Sequence, residues 1–181
     1  MMNGVDVGRL VKTIEAVKAD PDLARFRFRA ESVWTGGGKT ETQIQGFYGT
    51  GQEDTSRKEP FVLVGDEPPV LLGGNKGPNA VETLLHALTS CLSVGFVYNA
   101  AAQGIRVDGL SFETEGDLDL RAFLGITEKV RPGYDNIRVT YQVDADAPRD
   151  RLVELCKYVQ ETSPVLDMLR NPVKVDVKMA D

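Results

Sequence analysis

The sequence predicts an α+β fold, and three observations carry that reading. Strand-like segments come in runs, at 26–34, 40–47 and 61–64 and again at 105–118 and 137–143, rather than alternating regularly with helices. A long, almost uniformly apolar segment follows Gly77-Pro78-Asn79. An amphipathic segment opens at Pro148, with Leu152, Val153, Leu155, Cys156 and Val159 as its apolar positions.

Taken in order, Val7, Leu10, Val11, Ile14 and Val17 recur at helical spacing over residues 5–19, and Asp20-Pro21 ends that pattern with room for a short further turn. Residues 26–34 alternate as a strand, Gly36-Gly37-Gly38 turns the chain, and 40–47 returns as the hairpin partner. Three glycines could also suggest a phosphate loop, but no helix and no Gly-Lys-Ser follows them, which favours the hairpin turn. Residues 48–60 are polar and read as loop, and 61–64 as a short buried strand stopped before Pro68-Pro69. Asn79 then caps a helix, with Glu82 completing a capping box. Leu84, Leu85, Ala87, Leu88, Cys91, Leu92 and Phe96 make that helix apolar over most of its circumference, which predicts burial on all sides. Gly104 ends it in the left-handed conformation. An excursion with a Pro132-Gly133 turn separates the strands at 105–118 and 137–143. Ser163-Pro164 starts a second helix after the one opened by Pro148, and Val173, Val175 and Val177 predict a last strand.

Composition narrows the function classes. With 41% hydrophobic and 27% charged residues over 181 positions, the chain can bury a core of its own. A net charge of −6 with no dense Lys/Arg run argues against a nucleic-acid partner; Arg25, Arg27 and Arg29 alternate as on a solvated strand face. The N-terminus lacks the basic start and apolar run of a signal peptide, and no stretch reaches the roughly 20 apolar residues expected of a membrane span. Two cysteines cannot build a disulfide framework, so a cytoplasmic location is expected. One His leaves a zinc site or a His-dependent triad poorly supplied, and neither a metal nor a cofactor is expected.

Chemistry then rests on the thiols. Cysteine is a nucleophile only as thiolate. Cys91 lies about three turns into its helix, beyond effective reach of the dipole, on a face shared with Leu84, Ala87 and Leu88. By residue counting alone this is the setting of an inert core thiol. Cys156 sits on the Leu152-Leu155-Val159 face and reads as a packed residue.

The run from Gly77-Pro78-Asn79 through His86-Ala87-Leu88-Thr89-Ser90-Cys91 resembles the signature helix of the OsmC/Ohr family, whose peroxidatic cysteine stands twelve residues after the Asn. The tail from Ser163-Pro164-Val165 to Asn171-Pro172-Val173 resembles that family's second landmark. The resemblance spans roughly residue 28 to the C-terminus. It implies a divergent OsmC-like domain at 26–181 preceded by an N-terminal helical extension at 1–25. It also implies an intertwined homodimer, with an antiparallel-rich sheet wrapping long central helices and active sites at the dimer interface. The implied activity is reduction of a small organic hydroperoxide by Cys91, in the service of oxidative-stress defence. The implied partners are a second copy and an external dithiol, with no nucleic acid and no membrane.

The supporting residues depart from the family pattern. Ser163 occupies the resolving-cysteine position, and a hydroxyl cannot resolve a sulfenic acid. Cys156, two helical turns earlier, could act as a displaced resolving thiol, although about 10 Å of helix exceeds the reach of a disulfide. Val81 stands where the family has an acid, and Glu82 faces away from Cys91. Lys39, in the early hairpin, could stabilise the thiolate in place of the family's Arg, without its planar fork. His86 is roughly 140° around the helix from Cys91, too far to serve as its base within one subunit. Beside the peroxidase stand two other readings: a non-catalytic dimeric module binding a small apolar or acyl ligand between its helices, and an interaction role for the helix at 5–19.

Overall fold

A computed structural model of the chain describes residues 1–180, in which two compact units form. One comprises Asp6–Leu84; the other comprises Met1–Val5 together with the chain from Leu85 onward. The architecture is the expected α+β mixture of helices and antiparallel sheet.

In the first unit, helix α1 (Val7–Ala19) is capped by Asp6, whose carboxylate accepts the Arg9 N–H. A single 3₁₀ turn follows at Pro21–Ala24. Strands β1 (Glu31–Gly36), β2 (Lys39–Ile44) and β5 (Phe61–Gly65) form an antiparallel sheet in the order β1-β2-β5. The first strand is shorter than the alternation predicts. Arg27 instead makes a lone bridge to Tyr48, because the chain changes partners before residue 31. The segment at 48–60, read as loop, contains most of a small hairpin, β3 (Phe47–Gly49) with β4 (Gln52–Asp54). Its turn is made by Thr50 and Gly51, both at positive φ, where Gly51 fits without strain. Strand β5 is present, but Phe61, Val62 and Leu63 are exposed rather than buried.

The loop leading to the long helix is fixed from within. The buried Asp66 carboxylate accepts N–H bonds from Lys76 (3.0 Å), Glu67 (2.8 Å) and Gly74 (3.1 Å). These amides, with Lys76 first, hold its carboxyl below the usual range. Backbone packs on backbone here: a Cβ on Gly73 would stand 1.9 Å from the Glu67 carbonyl oxygen, and one on Gly77 2.1 Å from that of Val64.

Helix α2 (Ala80–Ala102) starts in the first unit and runs through the second. Its cap is the anticipated box: Asn79 Oδ1 accepts from Glu82 N–H at 2.9 Å, and Glu82 Oε2 accepts from Asn79 N–H at 2.8 Å. Gly104, at φ +72°, ends it. Burial on all sides is not found in a single chain. Leu88, Leu92, Phe96 and Ala100, four residues apart, form a buried stripe with Ala101 beside it, while Val94 and Tyr98 are 53% and 47% exposed. The helix is also long and apolar enough, by length and composition alone, to cross a membrane, which corrects the sequence estimate. Its buried stripe instead forms the core of the second unit.

Strands β6 (Val107–Leu118) and β7 (Tyr134–Ala145) pair antiparallel, with Phe112 opposite Tyr141 and Leu110 opposite Val143. Period-two alternation sends Leu110, Phe112, Ile137, Val139, Tyr141 and Val143 onto the core. The other face is polar, where Arg138 pairs with Glu115 and Asp117. Helix α3 (Arg149–Thr162) adds Leu155 and Val159, and α4 (Pro164–Arg170) follows at once. Gly95 admits α3 closely: a Cβ there would lie 3.0 Å from Val159 Cγ1. Asn3 ties Met1–Val5 to this unit, donating to the Ile105 carbonyl and accepting from Val107 N–H. The last predicted strand does not form, since residues 172–180 have no ladder partner among the described residues; alternation supplies two faces but not a neighbouring strand.

Candidate active site

The site grows from two caps. The Asn79–Glu82 box sets where α2 begins, and twelve residues on, the helix delivers Cys91 to the edge of its buried stripe. The second cap is Ser163, which ends α3 and starts α4 with Pro164 at the first helical position. Its hydroxyl accepts the Leu166 N–H at 3.2 Å and donates to Cys91 Sγ at 3.2 Å. Ser163 is only 4% exposed, so this donor is held away from competing water. A thiolate at Cys91 therefore has a hydrogen-bond donor in place, itself polarised by a backbone amide. The sequence placed Ser163 where a resolving thiol was expected, and the structure brings it against Cys91.

Cys156 packs against the same core from α3 and is partly buried. Burial pushes its thiol up, keeping it neutral. Both cysteines are free.

Residue reasoning missed Tyr141. It stands on the core face of β7 with its ring 4.7 Å from that of Phe112 and 6.2 Å from that of Phe96. Its hydroxyl has almost no accessible surface and no hydrogen-bond partner among the described residues. Burial first, then the charges of Cys156 and Cys91, push the phenol up to about 12, so it stays protonated. The available signal was a hydroxyl-bearing residue in an otherwise aliphatic alternation, because a buried Tyr normally finds a partner.

The remaining candidates make contacts of their own. Lys39 belongs to the first unit, where its ammonium pairs with Glu41 at 2.9 Å. His86 is exposed, with its Nε2 3.4 Å from Ser90 Oγ. These two residues line an open groove of about 570 Å³, together with Leu85, Ser93 and Val94 of α2 and Phe112 and Thr114 of β6. At about 100° per residue, Ser93 is on nearly the opposite side of α2 from Cys91, and Val94 is the lining residue nearest the thiol's face. Val81, half-buried, offers no charge near the start of α2.

Comparison with known proteins bears on this geometry. The family model described as OsmC-like protein matches residues 73–178, which contain both caps and both thiols. A search of curated proteins finds no match. Among solved structures, the chain is similar to an OsmC-like protein from Mycoplasma pneumoniae, with a TM-score of 0.60 at 14% identity, covering 81% of this chain and 89% of that one. It is also similar to an organic hydroperoxide resistance protein OsmC from Legionella pneumophila, with a TM-score of 0.56 at 15% identity, covering 80% and 90%. At these identities the likeness is one of fold.

Proposed function

Because the chain belongs to the OsmC-like protein family, we propose that it reduces small organic hydroperoxides through Cys91, in a cycle without an internal resolving cysteine. The observation that carries this reading is the 3.2 Å hydrogen bond from the buried Ser163 hydroxyl to Cys91 Sγ. The thiolate attacks the distal peroxide oxygen; the O–O bond breaks, the alkoxide leaves and takes a proton as alcohol, and Cys91 becomes a sulfenic acid. Ser163 cannot close a disulfide, and Cys156 is kept neutral by burial. An external dithiol then attacks the sulfenyl sulfur, releasing water and forming a mixed disulfide, which its second thiol reduces.

A homodimer fits the same reading. Val94 and Tyr98 flank Cys91 on α2, and their exposure in one chain leaves apolar surface beside the thiol for a second copy to cover. Action in the cytoplasm, as oxidative-stress defence, accords with free thiols. The test is hydroperoxide consumption by the wild type and Cys91→Ser with a dithiol present: loss in the variant supports the reading, and equal turnover overturns it.

A second reading has an observation of its own. The groove between α2 and β6 joins apolar Leu85, Val94 and Phe112 to polar Thr89, Ser90 and Ser93, a lining suited to a small amphipathic or acyl ligand. Co-purified ligand together with a Cys91 unreactive to hydroperoxide would favour a binding module over an enzyme.

A further inference from the structure

The contact between Cys91 and Ser163 depends on how closely two helices approach. Cys91 stands on α2 and Ser163 caps the end of α3, with 3.2 Å between sulfur and hydroxyl. One turn further along α2 is Gly95, and one turn back along α3 is Val159. These two residues also meet: a Cβ built on Gly95 would lie 3.0 Å from Val159 Cγ1, and its three nearest atoms all belong to Val159. The helices therefore cross antiparallel, with the two residue pairs about 6 Å apart along the crossing. Val159 is fully buried, in the same core as Leu88, Leu92 and Phe96.

We propose that Gly95 is a positioning residue for Cys91: by carrying no side chain, it lets α3 approach until the Ser163 hydroxyl reaches the sulfur. The inference rests on the peroxidase reading above and deepens it, because the same hydroxyl serves the attacking thiolate. Gly in a helix interior costs stability relative to Ala, and close approach of a neighbouring helix is what it permits. A methyl at this position finds no spare room in a close-packed interior. Val159 cannot turn aside, since a β-branched side chain in a helix has one strongly preferred rotamer. The helix α3 must then move off by a few tenths of an ångström, and Ser163 moves with it as its cap. The hydrogen bond to sulfur lengthens from 3.2 Å and weakens. Gly95 itself offers no group to sulfur or peroxide; it acts through Ser163.

The experiment measures alkylation of Cys91 by iodoacetamide at neutral pH, located by peptide mass, in wild type, Gly95→Ala, Val159→Ala and the double variant. Hydroperoxide consumption and urea midpoints are followed in the same four proteins. Gly95→Ala is expected to be alkylated about threefold more slowly, the scale of one weakened hydrogen bond to a thiolate partly offset by higher nucleophilicity. Val159→Ala is expected to react within about twofold of wild type, despite a lower midpoint from the cavity it leaves. The double variant is expected to recover the wild-type rate, because the new methyl then meets only the Cβ at position 159, at 4.0 Å. That rescue is a result that lost stability would not produce. Unchanged alkylation of Gly95→Ala overturns the positioning role. A double variant as slow as Gly95→Ala overturns it too, since the loss would not run through Val159. Faster alkylation of Gly95→Ala, the mark of a loosened fold, has the same consequence. Rescue in a protein whose wild type consumes no hydroperoxide supports the positioning of the thiol and overturns the peroxidase reading instead.

Discussion

The hydroxyl of Ser163 and the sulfur of Cys91, 72 residues apart in the chain, stand 3.2 Å from each other with the hydroxyl donating. Replacing that oxygen with sulfur would put two thiols within reach of a bond. Ser163→Cys is therefore expected to form a disulfide between Cys91 and the introduced thiol on hydroperoxide treatment, read as a loss of two hydrogens by intact mass and reversed by a dithiol. A variant that stays fully reduced, or gains only oxygen, would show that the two positions do not approach closely enough in solution.

Ser163→Ala separates the hydroxyl's two tasks. Losing the cap of α4 should cost about 1 kcal/mol of stability in a denaturant titration. Losing the donor to sulfur should slow Cys91 oxidation by about tenfold, the scale of one hydrogen bond to a charged group. A lower midpoint with an unchanged rate would leave Ser163 as a cap alone.

Tyr141→Phe should stabilise the reduced protein by about 1 kcal/mol, since an unpaired buried hydroxyl costs desolvation without return. Urea titration under reducing conditions measures it.

Asp66 makes stability depend on acid. Its folded carboxyl titrates below the unfolded value of 3.8, because the Lys76, Glu67 and Gly74 amides favour the charged form. A depressed carboxyl contributes stability above the unfolded value and loses it as pH falls from about there through the folded value. Asp66→Asn should lower the midpoint at pH 7 and flatten the pH dependence below about 4 relative to wild type. Parallel acid titrations of the two proteins would remove Asp66 as the cause.

Asn79 and Glu82 form one reciprocal unit, so their losses should overlap. Each alanine variant is expected to cost about 1 kcal/mol, and the double variant less than the sum. Strict additivity would mean the box does not act as a pair.

What was legible in the sequence was local. Asn79 with Glu82, Ser163 with Pro164 and Gly104 name their own helix ends, because caps are made by residues within a turn of each other. Cys91 stood out only through the resemblance of the Gly77–Cys91 run to the OsmC/Ohr signature helix, since residue counting alone gives an inert core thiol. What failed depended on distant partners. The alternation of Val173, Val175 and Val177 resembles a strand but finds no ladder among the described residues, while β3 and β4, three residues each, are too short to stand out. The all-apolar surface of α2 could not reveal which stripe would be buried. Tyr141 was hidden because only packing shows that its hydroxyl is buried without a partner.

The most direct test of Cys91 as a peroxidatic thiol without an internal resolver is intact mass after one equivalent of organic hydroperoxide, with peptide mapping. One added oxygen on Cys91, absent in Cys91→Ser, is the predicted result. An unchanged mass, or a loss of two hydrogens mapped to a Cys91–Cys156 disulfide, would contradict it.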